Sequence, residues 1–161
     1  MAGETQFVLA GSSTTVISHA ATLTNNAYTY TGLTGITMTD LDNSTNLYPS
    51  LRAVLDVPDT FSAAPTAGGY VALYMLKLNI DSTSDDIPAP DSAALKAAQF
   101  IGSFPIQAYD VAQRVTIDCP GVLRGITAAQ FFIENKTGVS LSYASSPITV
   151  KITPYSFKPA A

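Results

Sequence analysis

Residues Leu51–Val57 read LRAVLDV, and the way these seven residues alternate decides the class of fold. Leu51, Ala53, Leu55 and Val57 fall on one side of an extended chain, and Arg52, Val54 and Asp56 fall on the other. A period of two marks a strand with one face on a core and one in water, because successive side chains of a strand point to opposite faces. A helix would scatter the same apolar residues around its circumference.

The pattern recurs on both sides of this stretch. Arg114–Cys119 sets Val115, Ile117 and Cys119 against Arg114, Thr116 and Asp118. Val139–Tyr143 and Ile148–Thr153 point Val139, Leu141 and Tyr143, then Ile148, Val150 and Ile152, one way. Asn26–Thr31 sets Tyr28 and Tyr30 against Thr29 and Thr31. Gly69–Leu78, GYVALYMLKL, is apolar on both faces and reads as a central strand covered on both sides, with Tyr70 and Tyr74 in the core. Pro120-Gly121 suits a type II turn, and Asn135–Gly138, inside FFIENKTGVSLSY, reads as a four-residue hairpin connection. The expected fold is therefore all-β, an antiparallel β-sandwich of jelly-roll-like form. One short helix or helical turn is expected at Asp91–Phe100 (DSAALKAAQF), in a long loop that opens with the polar Asp81–Pro90. The expected organisation is an N-terminal arm over 1–13, a single sandwich domain over 14–153 and an extended tail over 154–161.

Composition narrows the function classes. The 161 residues suit one domain with a sizeable core. Charged residues are only 12% of the chain, about half the usual share. Such a surface suits burial against a partner or a neutral Ser/Thr-rich sheet face. The net charge is −4, and the eight basic residues stand singly, which argues against direct nucleic-acid binding. The one cysteine, Cys119, leaves no internal disulfide to form. No apolar stretch reaches membrane-spanning length, so no membrane partner is expected. The opening MAGETQFVLAGSSTT lacks the basic-then-apolar pattern of a secretory signal. The expectation is a protein made in a cytoplasm and used as synthesised. On that reading the sugar-acceptor matches Asn135-Lys136-Thr137 and Asn43-Ser44-Thr45 are turn chemistry.

No catalytic pattern stands out. The lone histidine, His19, lies in a Ser/Thr-rich segment with no nucleophile elbow and reads as a structural strand-end residue. Cys119 falls on the inward side of its strand and reads as packing. The glutamates are only Glu4 and Glu134, a poor basis for paired-carboxylate chemistry. Asp81, Asp85 and Asp86 cluster in DSTSDD, without the glycine and terminal glutamate of an EF-hand. The expectation is a non-enzymatic protein with no cofactor and no metal site. Contact surfaces are the better prospect. Tyr28 and Tyr30 are candidates for an exposed aromatic contact. Phe7 and Leu9 near the start, with Tyr155 and Phe157 near the end, read as apolar anchors on extended arms, so deletion after Thr153 is expected to weaken assembly more than folding.

The second half also resembles a known family. YVALYMLKLNIDSTSDD, FIGSFPIQAYDVAQRVTI, GITAAQFFIENKTGVSLS and ITVKITPYSF are similar, in that order, to small β-sandwich virion proteins of tailed bacteriophages, over roughly Gly69–Phe157. The chain departs from the family's loop glycine and tyrosine, carrying DSTSDD there, and inserts Pro88–Lys96. The resemblance implies a structural component of a phage particle. Compact β domains with clasping arms are expected of head decoration or cement proteins, whose partners would be the major capsid protein and further copies of the same chain. The alternative is a carbohydrate- or receptor-binding sandwich of the tail or baseplate, with glycan as partner.

Overall fold

The computed structural model describes residues 5–9, 12–30, 32–58, 63–78, 98–106, 111–141 and 146–159. Among these residues the regular structure is all strand. The strands are β1 Thr5–Leu9, β2 Thr14–His19, β3 Ile36–Met38, β4 Leu41–Asp42, β5 Ser50–Val57, β6 Tyr70–Leu78, β7 Gln99–Pro105, β8 Gln113–Cys119, β9 Ala128–Lys136 and β10 Ile148–Pro159. They form two sheets. One runs β3-β2-β10-β5-β8, with β1 also on β10, and the other runs β4-β9-β6-β7.

The pairing is nested. β2 pairs with β10, β4 with β9, β5 with β8 and β6 with β7, all antiparallel. Early strands thus pair with late ones and middle strands with each other, as in a long ribbon rolled on itself. That is the jelly-roll arrangement expected from the alternation.

Alternation explains why the sheets pack. Leu51, Ala53, Leu55 and Val57 of β5 and Ile148, Val150 and Ile152 of β10 are all buried. They meet Val71, Leu73 and Met75 of β6, Phe131 and Ile133 of β9 and Phe104 of β7 in one continuous core. Each fully buried side chain of this kind is worth about 1.5–3 kcal/mol of transfer free energy, so the core dominates the stability. Along one side β7 and β8 approach closely: a Cβ on Gly102 would lie 2.6 Å from Ile117 Cδ1, which is why this position carries no side chain. The Cys119 thiol reaches the Ile101 carbonyl across the same seam at 3.5 Å.

The outer faces differ. On the six-stranded sheet the residues opposite the core form cross-strand ion pairs, Arg52–Asp118 at 2.9 Å and Arg114–Asp56 at 2.6 Å, with Lys151 3.8 Å from Asp56. These are solvent-side contacts of small net value. The four-stranded sheet instead turns aromatic residues outward.

Several expectations need correction. Asp91–Phe100 was expected to be helical, but Gln99 and Phe100 begin β7, and 91–97 lie outside the described residues. Asn26–Thr31 is no named strand; it runs along β9 through the bridge of Tyr28 to Glu134 and backbone hydrogen bonds of Asn26 and Ala27 with Asn135 and of Thr29 with Ile133, and Thr31 lies outside the described residues. Val139–Tyr143 reduces to one bridge, Leu141 to Leu23, with 142–143 outside the described residues. Among the described residues the chain leaving β9 pairs with Leu23 and not with β9, so Asn135–Gly138 is a corner there and no two-strand hairpin. The glycine requirement at that corner holds, because Gly138 has φ +83°. Gly121 has φ +74°, as the third position of a type II turn demands.

The two arms also behave differently from the sequence reading. β10 continues unbroken from Ile148 to Pro159, and its far half pairs with β1, Thr5 opposite Pro159 and Leu9 opposite Tyr155. Beyond Tyr155, which faces Ser50, β5 has ended. Residues 156–159 and β1 therefore form a two-stranded ribbon made of the two ends of the domain.

Candidate functional site

The six residues singled out from sequence separate into three places. Phe7 and Leu9 lie on β1, where Phe7 is the register partner of Phe157. Tyr155 is only 1% exposed, so it belongs to the interior of its own domain and is not a peg for a neighbour. Phe157 is 49% exposed and packs edge-to-face on Tyr155 at 5.3 Å. It borders a groove of about 600 Å³ lined by Pro49, Ser50, Pro120, Gly121, Arg124 and Phe157. One side of this groove rests on the type II turn, and the other on the base of the terminal ribbon.

Tyr28 and Tyr30 lie on the other sheet. Their rings meet edge-to-face at 6.0 Å, and both are half-buried. The bridge of Tyr28 to Glu134 adds this loop as a further row on the edge of β9. Thr29, between the two tyrosines, is buried and its Oγ1 accepts the Ile133 N–H at 3.0 Å. That bond locks the loop against the strand and turns both rings away from the core.

The register then builds a surface. Glu134 stands opposite Ala72, and Ala72 opposite Ser103. In the next row Phe132 stands opposite Tyr74, and Tyr74 opposite Phe100. On the other side Lys136 stands opposite Tyr70. Strand alternation on β6 and β9, with the register irregularity of β7 between the partners of Leu73 and Tyr74, sends these side chains to the outer face together. Tyr74 donates its hydroxyl to Glu134 Oε2 at 2.9 Å and meets the Phe100 ring at 5.7 Å. Lys136 Nζ lies 2.8 Å from Glu134 Oε1 and donates to Asn26 Oδ1 at 3.2 Å. Burial, reinforced by the Glu134 carboxylate, pushes the Tyr74 phenol up to about 12, so it stays a proton donor at any ordinary pH. Tyr70 is 38% exposed and Phe100 54%. Farther along the same face Leu76, Leu78 and Phe132 are buried.

Tyr70 and Tyr74 were assigned to the core from sequence, and this face corrects that. β6 is apolar on both sides because one side faces the inter-sheet core and the other this aromatic surface. The signal was present in the spacing: Tyr70, Ala72 and Tyr74 share one side of the strand, whereas Val71, Leu73 and Met75 share the other.

His19 ends β2, is 1% exposed, and both of its ring nitrogens lack a hydrogen-bond partner. Burial lowers its pKa below the ordinary histidine value, so the neutral form is the folded form. Burial pushes the Cys119 thiol up to about 11, which leaves it unreactive. Among the described residues no three His, Cys, Asp or Glu side chains gather at one point, and the Asp81–Asp86 loop lies outside those residues.

Both sugar-acceptor matches are structural amides. Asn135 is fully buried; its amide donates to the Leu23 and Val139 carbonyls at 2.8 and 2.7 Å, and its oxygen accepts the Thr137 N–H and hydroxyl at 3.0 and 2.7 Å. Asn43 repeats the device, donating to Tyr48 and Ile126 carbonyls at 3.0 and 2.9 Å and accepting the Tyr48 N–H at 3.0 Å. Neither amide nitrogen is free to carry a sugar in the folded chain.

No family model matches the chain, and no curated protein matches its sequence.

Proposed function

We propose that the chain is a non-enzymatic structural protein of a bacteriophage particle, a head decoration or cement protein that binds the assembled capsid and stabilises it. The resemblance of Gly69–Phe157 to tailed-phage virion proteins supports this reading, as does the jelly roll, an architecture used by viral capsid and lectin domains alike. The observation that carries it is the pairing of the two ends of the domain into one ribbon beside a groove with an exposed Phe157. An exposed aromatic ring flanked by prolines and an arginine is the composition of a protein-contact centre. A protein that binds only the assembled shell stabilises that shell by mass action. The capsid protein and further copies of this chain are the partners it implies.

The test is co-sedimentation of purified protein with expanded phage shells, followed by heating of loaded and bare shells. The proposal expects a raised temperature of DNA release or shell disruption, lost in Phe157→Ala. Shells of unchanged stability, or labelling of the tail, would overturn it. The alternative, a tail or baseplate module that binds carbohydrate or a receptor, draws on the aromatic face of the other sheet.

A further inference from the structure

We propose that the outer face of the four-stranded sheet, centred on Glu134 and bordered by Tyr28, Tyr70, Tyr74 and Phe100, is a binding platform for a neutral oligosaccharide. This site is separate from the Phe157 groove and carried by the other sheet.

The chemistry of the face selects the ligand class. Its rings offer flat apolar surface at half-buried to exposed positions, which suits the C–H faces of pyranose rings. Between the aromatic rows stand Ala72, which is buried, and Ser103, which is half-buried, so the accessible surface is that of the rings and of the edge of Glu134, whose side chain is 14% exposed. Each oxygen of the Glu134 carboxylate takes one donor, Tyr74 or Lys136, and a carboxylate offers about four acceptor sites. The remaining acceptor positions suit sugar hydroxyls.

Charge narrows the choice further. Lys136 neutralises Glu134, and the chain as a whole carries −4. Neither the face nor the wider field attracts an anionic polymer. Size argues against a protein occupant. Three side-chain rows over three strands and the Tyr28 loop span about 14 by 14 Å, and with Ala72 and Phe132 of those rows buried the open area is below about 200 Å². A stable protein interface needs about 800 Å² on each partner. The more apolar continuation of the face, Leu76, Leu78 and Phe132, is already buried within the chain and adds nothing to the open area. The other sheet provides the contrast: its outer face is ion-paired and shows no comparable aromatic row among the described residues.

The experiment is an amide-shift titration of the intact protein with maltotetraose, cellotetraose and N-acetylchitotetraose, each to about 10 mM, enough to saturate a site with a Kd near 1 mM. The proposal expects saturable shifts with at least one probe, at the amides of Tyr28, Ala72, Tyr74 and Glu134. Tyr70→Ala with Phe100→Ala, which removes the two exposed rings of the face, should weaken that binding at least tenfold in protein that keeps a folded amide spectrum. Absence of saturable shifts with all three probes overturns the proposal, as do shifts confined to the Phe157 groove. Sedimentation supplies a further check. A dimer abolished by the same double variant would assign the face to a second copy of the chain and overturn the glycan reading.

Discussion

Replacing Asn135 with alanine tests whether a buried amide, more than the strand it sits on, holds the corner after β9. The substitution removes four side-chain hydrogen bonds. The Leu23 carbonyl keeps a partner, because it also accepts the Leu141 N–H at 3.0 Å. The Val139 carbonyl can still take the Thr137 hydroxyl, 3.0 Å away. The buried Thr137 N–H is left with no acceptor, at a cost of about 1–3 kcal/mol, and each of the other lost bonds costs about 0.5–1.5 kcal/mol. The total is near 4 kcal/mol, a large part of the 5–15 kcal/mol that holds most domains together. In urea, with a slope of about 2 kcal/mol/M, the unfolding midpoint should fall by about 2 M while the slope stays unchanged. Asn135→Asp separates hydrogen bonding from packing. It preserves shape and both acceptor positions but turns a carboxylate oxygen on two carbonyls, so it should be worse than alanine at pH 7 and recover as acid protonates it. A midpoint shift below about 0.5 M for alanine, or an aspartate variant that tracks alanine at every pH, would refute the reasoning.

Three further outcomes are expected. His19 has a folded-state pKa below 6.5, so the unfolded chain binds more protons between that lowered value and 6.5; stability is fully present above pH 6.5 and falls as the pH drops through this window. Thermal melts from pH 7.5 to 4.5 should show this loss, and His19→Leu should flatten it; a wild-type melting temperature constant across the range would contradict the burial argument. Gly138→Ala should cost at least about 1–2 kcal/mol from the left-handed backbone alone, and more because its Cβ runs into Thr66 Oγ1. Adding Thr66→Ala should recover only the steric part, read by urea unfolding. Deletion after Thr153 should abolish cooperative unfolding in the isolated protein, because it removes the buried Tyr155 and the pairing partner of β1; a truncated chain that still melts sharply would return those residues to the role of free arms.

The strands legible in the sequence were those with one wet and one dry face. In β5, β8 and β10 the alternation of Leu51 to Val57, Val115 to Cys119 and Ile148 to Ile152 encodes both the strand and its direction into the core. The short β2, β3 and β4 carry too few apolar residues for a period to register. β6 was legible as a strand, but not as one with a binding face, because Tyr70 and Tyr74 are as apolar on a hydropathy scale as the core they oppose. The corner at Asn135 misled because turn residues report a reversal without naming the partner, and here that partner is Leu23, far away in sequence. Tyr155 misled because Pro154 interrupts local strand propensity, whereas β10 runs through it as its neighbour changes from β2 to β1.

The position of β10 has a consequence for how the molecule comes into being. Among the described strands it comes last in chain order, yet it lies inside its sheet, between β5 on one side and β2 and β1 on the other. During synthesis β2 and β5 therefore leave the ribosome with their shared neighbour still missing, and their apolar residues and open edges wait for it. Folding of this sheet follows translation of β10, its long-range pairings make that folding slow, and the waiting chain is most exposed to aggregation just before β10 emerges.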